Sequence, residues 1–258
     1  MLKSKASKLK RNYLTLYFFY RLAAHAEKIG ATAIAVLPSM FMFPSDIDEL
    51  VEWIALIASA APNLPCLYYH IPVLTKVTRK FIIISRSYAE ILNIFFPVSM
   101  VELLKKAPQK IPNFVGLKFT SRDCAEAGSC LLLKKPDGTP FNFFFGSDET
   151  FLGHYGFGIE SAIGSSYNFV PQLFHQISQA FQAGDVKKAR ELQLVVTKMF
   201  ETIFSHGKPG TVPQKVAMKL LTGIDLGPAR FPQINMNPES IPLLEKDLKE
   251  LNIHSYHK

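Results

Sequence analysis

Short apolar runs that alternate with helically spaced segments leave this chain little choice of architecture. Residues 31–37 (ATAIAVL), 64–70 (LPCLYYH), 114–120 (FVGLKFT), 141–145 (FNFFF) and 161–164 (SAIG) read as strands. Runs with so little polar alternation suit parallel strands covered on both faces. Strand and helix in alternation make βα units, about five of them here.

Helical spacing is read at 21–29, where Leu22, His25, Ala26 and Ile29 share one face and Gly30 ends the helix. A second helix opens at Ser45, with Asp48 three residues on as a capping-box variant. Asp46, Asp48 and Glu49 favour its positive end, and its apolar face lies within 50–60. Shorter helices are read at 98–106, at 124–135 and near 150–155. Beyond Asn168 the pattern is wholly helical, over 169–183, 186–204, 214–222 and 238–251. Residues 1–20 show no clear period and read as an arm. Residues 78–98 break the βα rhythm, and no internal repeat or low-complexity tract occurs.

The chain has 258 residues, 48% hydrophobic and 19% charged, enough for one substantial core. An α/β barrel typically takes about 250 residues. The net charge of +8 suggests nucleic acid until it is located: Lys3, Lys5, Lys8, Lys10 and Arg11 supply five of those charges. No basic stripe interleaved with aromatics remains, so nucleic acid is not an expected partner. Cys66, Cys124 and Cys130 have neither C-x-x-C nor zinc spacing, and no histidine pair has metal spacing, so no metal is expected. Free thiols and no convincing signal peptide point to a cytoplasmic protein. The apolar runs at 13–20, 81–84 and 91–96 each fall short of the roughly 20 residues a membrane span needs, so no membrane is expected.

The chemistry centres on Lys118 in VGLKFTSRD (115–123). An unpaired lysine at the end of a covered strand is costly. Desolvation favours the neutral amine, the form that attacks a ketone. The plainer reading is a lysine whose stem packs while its head reaches solvent. In a βα barrel, reactive groups gather at the C-terminal strand ends. Those ends carry Pro38-Ser39, Tyr68-Tyr69-His70, Lys118 to Thr120, Gly146 to Glu149, and Gly164 to Asn168. An amine, a phenol, two carboxylates and several hydroxyls suit an imine-forming aldolase acting on a polyol. Each also has a duller reading. Tyr68 and Tyr69 suit core aromatics, Asp148 and Glu149 suit helix caps, Ser165 and Ser166 suit a turn, and His70 suits a structural histidine. No G-x-S-x-G elbow or phosphate-binding glycine loop occurs.

YYHIP (68–72), VGLKFT (115–120), FGSDE (145–149) and IGSSYN (163–168), in this order and spacing, resemble the N-acetylneuraminate lyases. These are pyruvate-dependent class I aldolases of the group that includes dihydrodipicolinate synthase. AHAEKIGATAIAV (24–36) and LGPARFP (226–232) extend the resemblance over roughly 21–77 and 99–251. It implies a (β/α)8 TIM-barrel type of α/β fold with a C-terminal helical extension. It implies that Lys118 forms a Schiff base with the keto carbon of pyruvate or open-chain sialic acid, needing no cofactor beyond that covalent imine. Tyr69 is then the proton-transfer tyrosine. Thr120, Gly146, Asp148, Glu149 and Ser165 contact the sugar part, and N-acetylmannosamine and pyruvate are the products. Leu74, where dihydrodipicolinate synthases typically carry an arginine for a second carboxylate, favours the lyase branch. The resemblance also implies a homotetramer.

The chain departs from the family pattern as well. The family places three βα units, with a Gly-Thr-Thr-Gly-Glu-type loop, before the helix matching 21–29. The expectation is therefore an incomplete barrel without those first three units, from a splice variant or a faulty gene model. Its layout is an arm at 1–20, a partial barrel over 21–168 with an insertion at 78–98, and the last barrel helix and C-terminal helices over 169–258. Two other functions fit such a chain: a non-catalytic paralogue or splice form that binds sugar acids or joins intact subunits, and a pyruvate aldolase for another 2-keto acid.

Overall fold

The computed structural model describes residues 14–39, 43–75, 77–78 and 96–256. It divides into two compact units, Met1–Phe144 and Phe145–Lys258. The expected arm lies outside the described residues as far as 13, and most of the expected insertion, 79–95, does too.

In the first unit, α1 (Leu14–Lys28), β1 (Ile34–Val36), α2 (Ile47–Ala58) and β2 (Cys66–His70) follow in order. A short helix α3 (Pro72–Thr75) leads to β3 (Val77–Thr78), which pairs in parallel with β4 (Phe96–Pro97). Then come α4 (Met100–Lys110), β5 (Phe114–Phe119), α5 (Cys124–Leu131) and β6 (Asn142–Phe145). The main sheet is open, in the order β1-β2-β5-β6. The β1–β2 and β2–β5 pairs are parallel, as continuous apolar strands joined by helices require.

Helix α1 starts at Leu14, so residues 14–20 belong to a helix and not to the arm. Its buried residues are Leu16, Tyr20 and Ala23, while Leu22 and Ile29 face solvent. The face read from sequence is thus the outer one. The helix is anchored farther back, where Phe19 meets Trp53 of α2 edge-to-face at 6.1 Å. The cap of α2 is displaced by one residue from its expected place. Asp46 accepts from the Glu49 N–H at 2.9 Å, and Glu49 accepts from the Ser45 N–H at 2.8 Å. Leu50, Val51, Ile54, Ile57 and Ala58 then turn one face inward. In α4, Met100, Leu103, Leu104 and Ala107 repeat at helical spacing and are buried. That helix passes Pro108 and runs on to Lys110, closed by the Ile111 N–H donating to the Ala107 carbonyl at 2.8 Å.

Asn113 sets the start of β5 against β2. Its Nδ2 donates to the carbonyls of Ala61 at 3.0 Å and Leu64 at 2.7 Å, and its own carbonyl accepts from the Cys66 N–H at 2.8 Å. Gly116, at φ +152°, lies so close to β6 that a Cβ would fall inside the Asn142 carbonyl.

The regular structure of the second unit is helical apart from Phe145 and its bridge partner Ala162. A 3₁₀ turn (Asp148–Thr150) and α6 (Phe151–Gly156) precede a second 3₁₀ turn (Ser166–Asn168). Helices α7 (Pro171–Gln182), α8 (Val186–Ser205), α9 (Thr211–Thr222) and α10 (Ser240–Glu250) complete it. Phe169, Leu173, Ile177, Val196, Met199 and Ile203 are among its core residues. The strand expected at 161–164 is reduced to one parallel bridge between Phe145 and Ala162. Among the described residues no helix is long and apolar enough to cross a membrane.

Gly116→Ala is expected to destabilise the chain by about 1–3 kcal/mol, because the added methyl must push β5 and β6 apart. Urea unfolding with an unchanged slope checks this.

Candidate active site

Tyr69 and Lys118 are Cα partners on β2 and β5. Strand side chains alternate between faces, so register partners share one. The two are half-buried, with Lys118 Nζ 4.0 Å from the centroid of the Tyr69 ring. Such a cation–π approach contributes about 0.5–2 kcal/mol and holds the amine at the strand end. Tyr68 and Leu117 form the adjacent partner pair and face the other way, both fully buried. Burial pushes the Tyr68 phenol far above its usual range. The plain reading, a core aromatic, therefore holds for Tyr68, and Tyr69 is the phenol beside the amine.

Thr120 follows Phe119 directly. Its N–H donates to the His70 carbonyl at 2.7 Å, tying the ends of β2 and β5 together. Its hydroxyl is buried with no hydrogen-bond partner among the described residues, which leaves it free for a ligand. An apolar cavity of about 120 Å³ adjoins Tyr69, lined by Leu37, Phe43, Ile71 and Leu74.

His70 sits on the Tyr68 face, fully buried and 5.1 Å from the Phe119 ring. Its Nε2 is 3.8 Å from Glu126 Oε2, a spacing that suggests an ion pair. Burial instead pushes the imidazole down to about 3, against the upward pull of Asp123, so it is neutral at ordinary pH. Glu126 is occupied otherwise: its Oε1 accepts from the Met100 N–H at 3.0 Å. His70 is structural, as the duller reading has it.

In the second unit, Gly146 follows the last residue of β6 and Asp148 opens the turn after it. The Asp148 carboxylate does not cap that turn. Its Oδ2 accepts from the Ser166 N–H at 3.0 Å and from Ser166 Oγ at 2.6 Å. Burial pushes its carboxyl up, while these two hydrogen bonds pull it down. Gly164 packs so tightly on Asp148 that a Cβ there would overlap the carboxylate. Glu149 is half-buried, and Ser165 is exposed at the neighbouring turn. Sequence reading missed Gln193 of α8, which donates to the carbonyls of Asp148 and Glu149 at 3.3 and 3.1 Å. No motif marks it, because its partners are backbone groups. A larger cavity, about 460 Å³, lies beside α9. Its lysines are engaged, Lys215 with the Pro228 carbonyl at 3.0 Å and Lys219 with Asp225 at 2.7 Å. Among the described residues no group of three or more His, Cys, Asp or Glu could hold a metal ion.

Residues 97–251 match the dihydrodipicolinate synthetase family. The N-acetylneuraminate lyase of Xenopus tropicalis is 36% identical over 82% of this chain and 61% of its own length. The chain thus spans about three fifths of that relative. The lyase (sialic acid aldolase) of Aliivibrio salmonicida has a TM-score of 0.78 at 29% identity, over 93% of this chain and 71% of that one. A catalytic-lysine mutant of the Ruminococcus gnavus sialic acid aldolase has a TM-score of 0.70 at 26% identity, over 92% and 69%. The fold is accordingly of the (β/α)8-barrel type found in this family.

His70 is neutral in the fold and charges in the unfolded chain below about pH 6.5. Its contribution is present above that pH and is lost as pH falls towards 3, by up to about 1.4 kcal/mol per unit. Between pH 7.5 and 5, His70→Gln is expected to lose about 2 kcal/mol less stability than the wild type, read by urea unfolding at both values.

Proposed function

The chain belongs to the dihydrodipicolinate synthetase family, and on that premise we propose that it is an N-acetylneuraminate lyase. The reaction is the reversible cleavage of open-chain sialic acid to N-acetylmannosamine and pyruvate. The observation that carries this reading is Lys118 Nζ standing 4.0 Å from the ring of its register partner Tyr69. A primary amine beside a phenol at a strand end supplies the two groups a Schiff-base aldolase needs.

On losing its proton the Lys118 amine attacks the keto carbon, and loss of water leaves a protonated imine. Tyr69 relays the proton taken from the hydroxyl beyond the scissile bond. The carbon–carbon bond then breaks, its electrons pass into the iminium, and the aldehyde leaves. The remaining enamine takes up a proton, and water releases pyruvate and restores the amine. No cofactor is required beyond the imine on Lys118. Thr120, Gly146, Asp148, Glu149 and Ser165 are assigned to the sugar part. The buried unpartnered hydroxyl of Thr120 and the carboxylates of Asp148 and Glu149 suit polyol hydroxyls. Leu74, on the apolar cavity beside Tyr69, supports a substrate without a second carboxylate there. The cytoplasm is assigned on cysteine usage, with no C-x-x-C pair or zinc spacing in the sequence, and the family resemblance supports a homotetramer.

Borohydride reduction in the presence of pyruvate is expected to fix a three-carbon adduct on the peptide containing Lys118, absent in Lys118→Ala. Tyr69→Phe is expected to keep the adduct while kcat for sialic acid falls about 10²–10⁴-fold. A folded wild-type chain that forms no adduct contradicts the proposal.

A further inference from the structure

We propose that Gln193 is a positioning residue for the sugar end of the substrate, fixing the Asp148–Glu149 turn so that its carboxylates meet the polyol in one geometry. The inference rests on the lyase reading and goes beyond it in naming a residue that touches no substrate.

The Gln193 carboxamide is spent on that turn. Nε2 donates to the Asp148 carbonyl at 3.3 Å and the Glu149 carbonyl at 3.1 Å. Oε1 accepts from the Leu152 N–H at 2.8 Å. The amide orientation is forced, since a flipped group would set its oxygen against two carbonyls and its donors against an N–H. The Leu152 contact supplies an N-terminal cap that α6 otherwise lacks, while the two donated bonds fix the carbonyls of the turn before it. Neither Ser147 before the 3₁₀ turn nor Thr150 before α6 makes a side-chain cap bond. Orphan groups of that kind must be satisfied from elsewhere. Here Gln193, 41 residues farther along the chain, satisfies the Leu152 N–H.

A second strut acts on the side chain of the same residue. Ser166, fully buried, gives both its N–H and its hydroxyl to Asp148 Oδ2. With the backbone of the Asp148–Glu149 turn held by Gln193 and the Asp148 carboxylate by Ser166, two elements of the second unit fix the turn and the direction of its first carboxylate. Polyol recognition depends on acceptors set in advance, because ordering them on binding would subtract from affinity. α8 itself is fastened by Leu192, Val196 and Met199 in the core of the unit, so it is a rigid support for the clamp.

The test compares wild type with Gln193→Met, which keeps the length and loses all three hydrogen bonds. Steady-state kinetics on N-acetylneuraminate, the borohydride-trapped pyruvate adduct on Lys118, and Tm are measured on the full chain. Gln193→Met is expected to raise KM about tenfold, to change kcat less than about threefold, and to leave the adduct intact. Ser166→Ala is expected to act in the same direction, with Ser166→Thr recovering most of the loss because it keeps the hydroxyl. An unchanged KM in Gln193→Met overturns the inference. A fall in kcat and adduct together with Tm also overturns it, since Gln193 would then serve stability alone. A wild type that forms no adduct, or forms it without cleaving N-acetylneuraminate, overturns the lyase reading and this inference with it. The first of those failures lies at Lys118, the second in the choice of substrate.

Discussion

The parallel pairing of β2 with β5 fixes what the first unit can do. Register places Tyr69 opposite Lys118 and Tyr68 opposite Leu117. Because strand side chains alternate, a slip of one residue would exchange every inward group for an outward one. Tyr69 would then leave the amine, and Tyr68 or His70 would take its place. Asn113 holds that register from outside the strand, donating to two carbonyls ahead of β2 and accepting from the Cys66 N–H at its start. Gly116 holds it from the other side by allowing β6 to close in. The chemistry at the strand end therefore depends on an amide and a glycine that take no part in it.

Two buried polar groups on the far side of the sheet show how burial decides a residue's role. Tyr68 and His70 flank Tyr69 in sequence, and either has the functional groups for proton transfer. Burial raises one and lowers the other, to about 3 for the imidazole. Both are held in their neutral forms over ordinary pH. Tyr69, half-buried and beside Lys118, is the member of the run left with access to a substrate. In the second unit, Asp148 is also buried but is supplied with two hydrogen bonds from Ser166. Those bonds favour the ionised form that desolvation opposes.

The βα rhythm and the four motifs were legible because their signals are local: apolar runs, turn residues and short strings with one meaning. Four of the five expected strands are present, with ends trimmed, while β3 and β4 were not read, and the helices after Asn168 were found almost whole. The misses have physical causes. The buried face of α1 was misread because Leu22 and Ile29 repeat as regularly as Leu16, Tyr20 and Ala23, and only the contact with Trp53 decides between them. The helix read as ending at 106 runs on through Pro108 to Lys110, its closing bond being made by Ile111. The stretch 161–164 has a strand's composition but pairs through a single bridge. Asp148 read as a cap or a ligand with equal ease, since nothing local shows that Ser166 lies against it. Gln193 was invisible for the same reason.

The central claim is that the β2–β5 register makes Lys118 an imine-forming amine with a proton relay beside it. The most direct test follows the methyl protons of pyruvate by NMR in D₂O. Enamine formation at Lys118 exchanges them for deuterium, whatever the sugar end of the site can do. The account predicts loss of the methyl signal in proportion to added protein, abolished by Lys118→Ala and slowed by Tyr69→Phe. Exchange no faster than in buffer, from a folded chain, would contradict it.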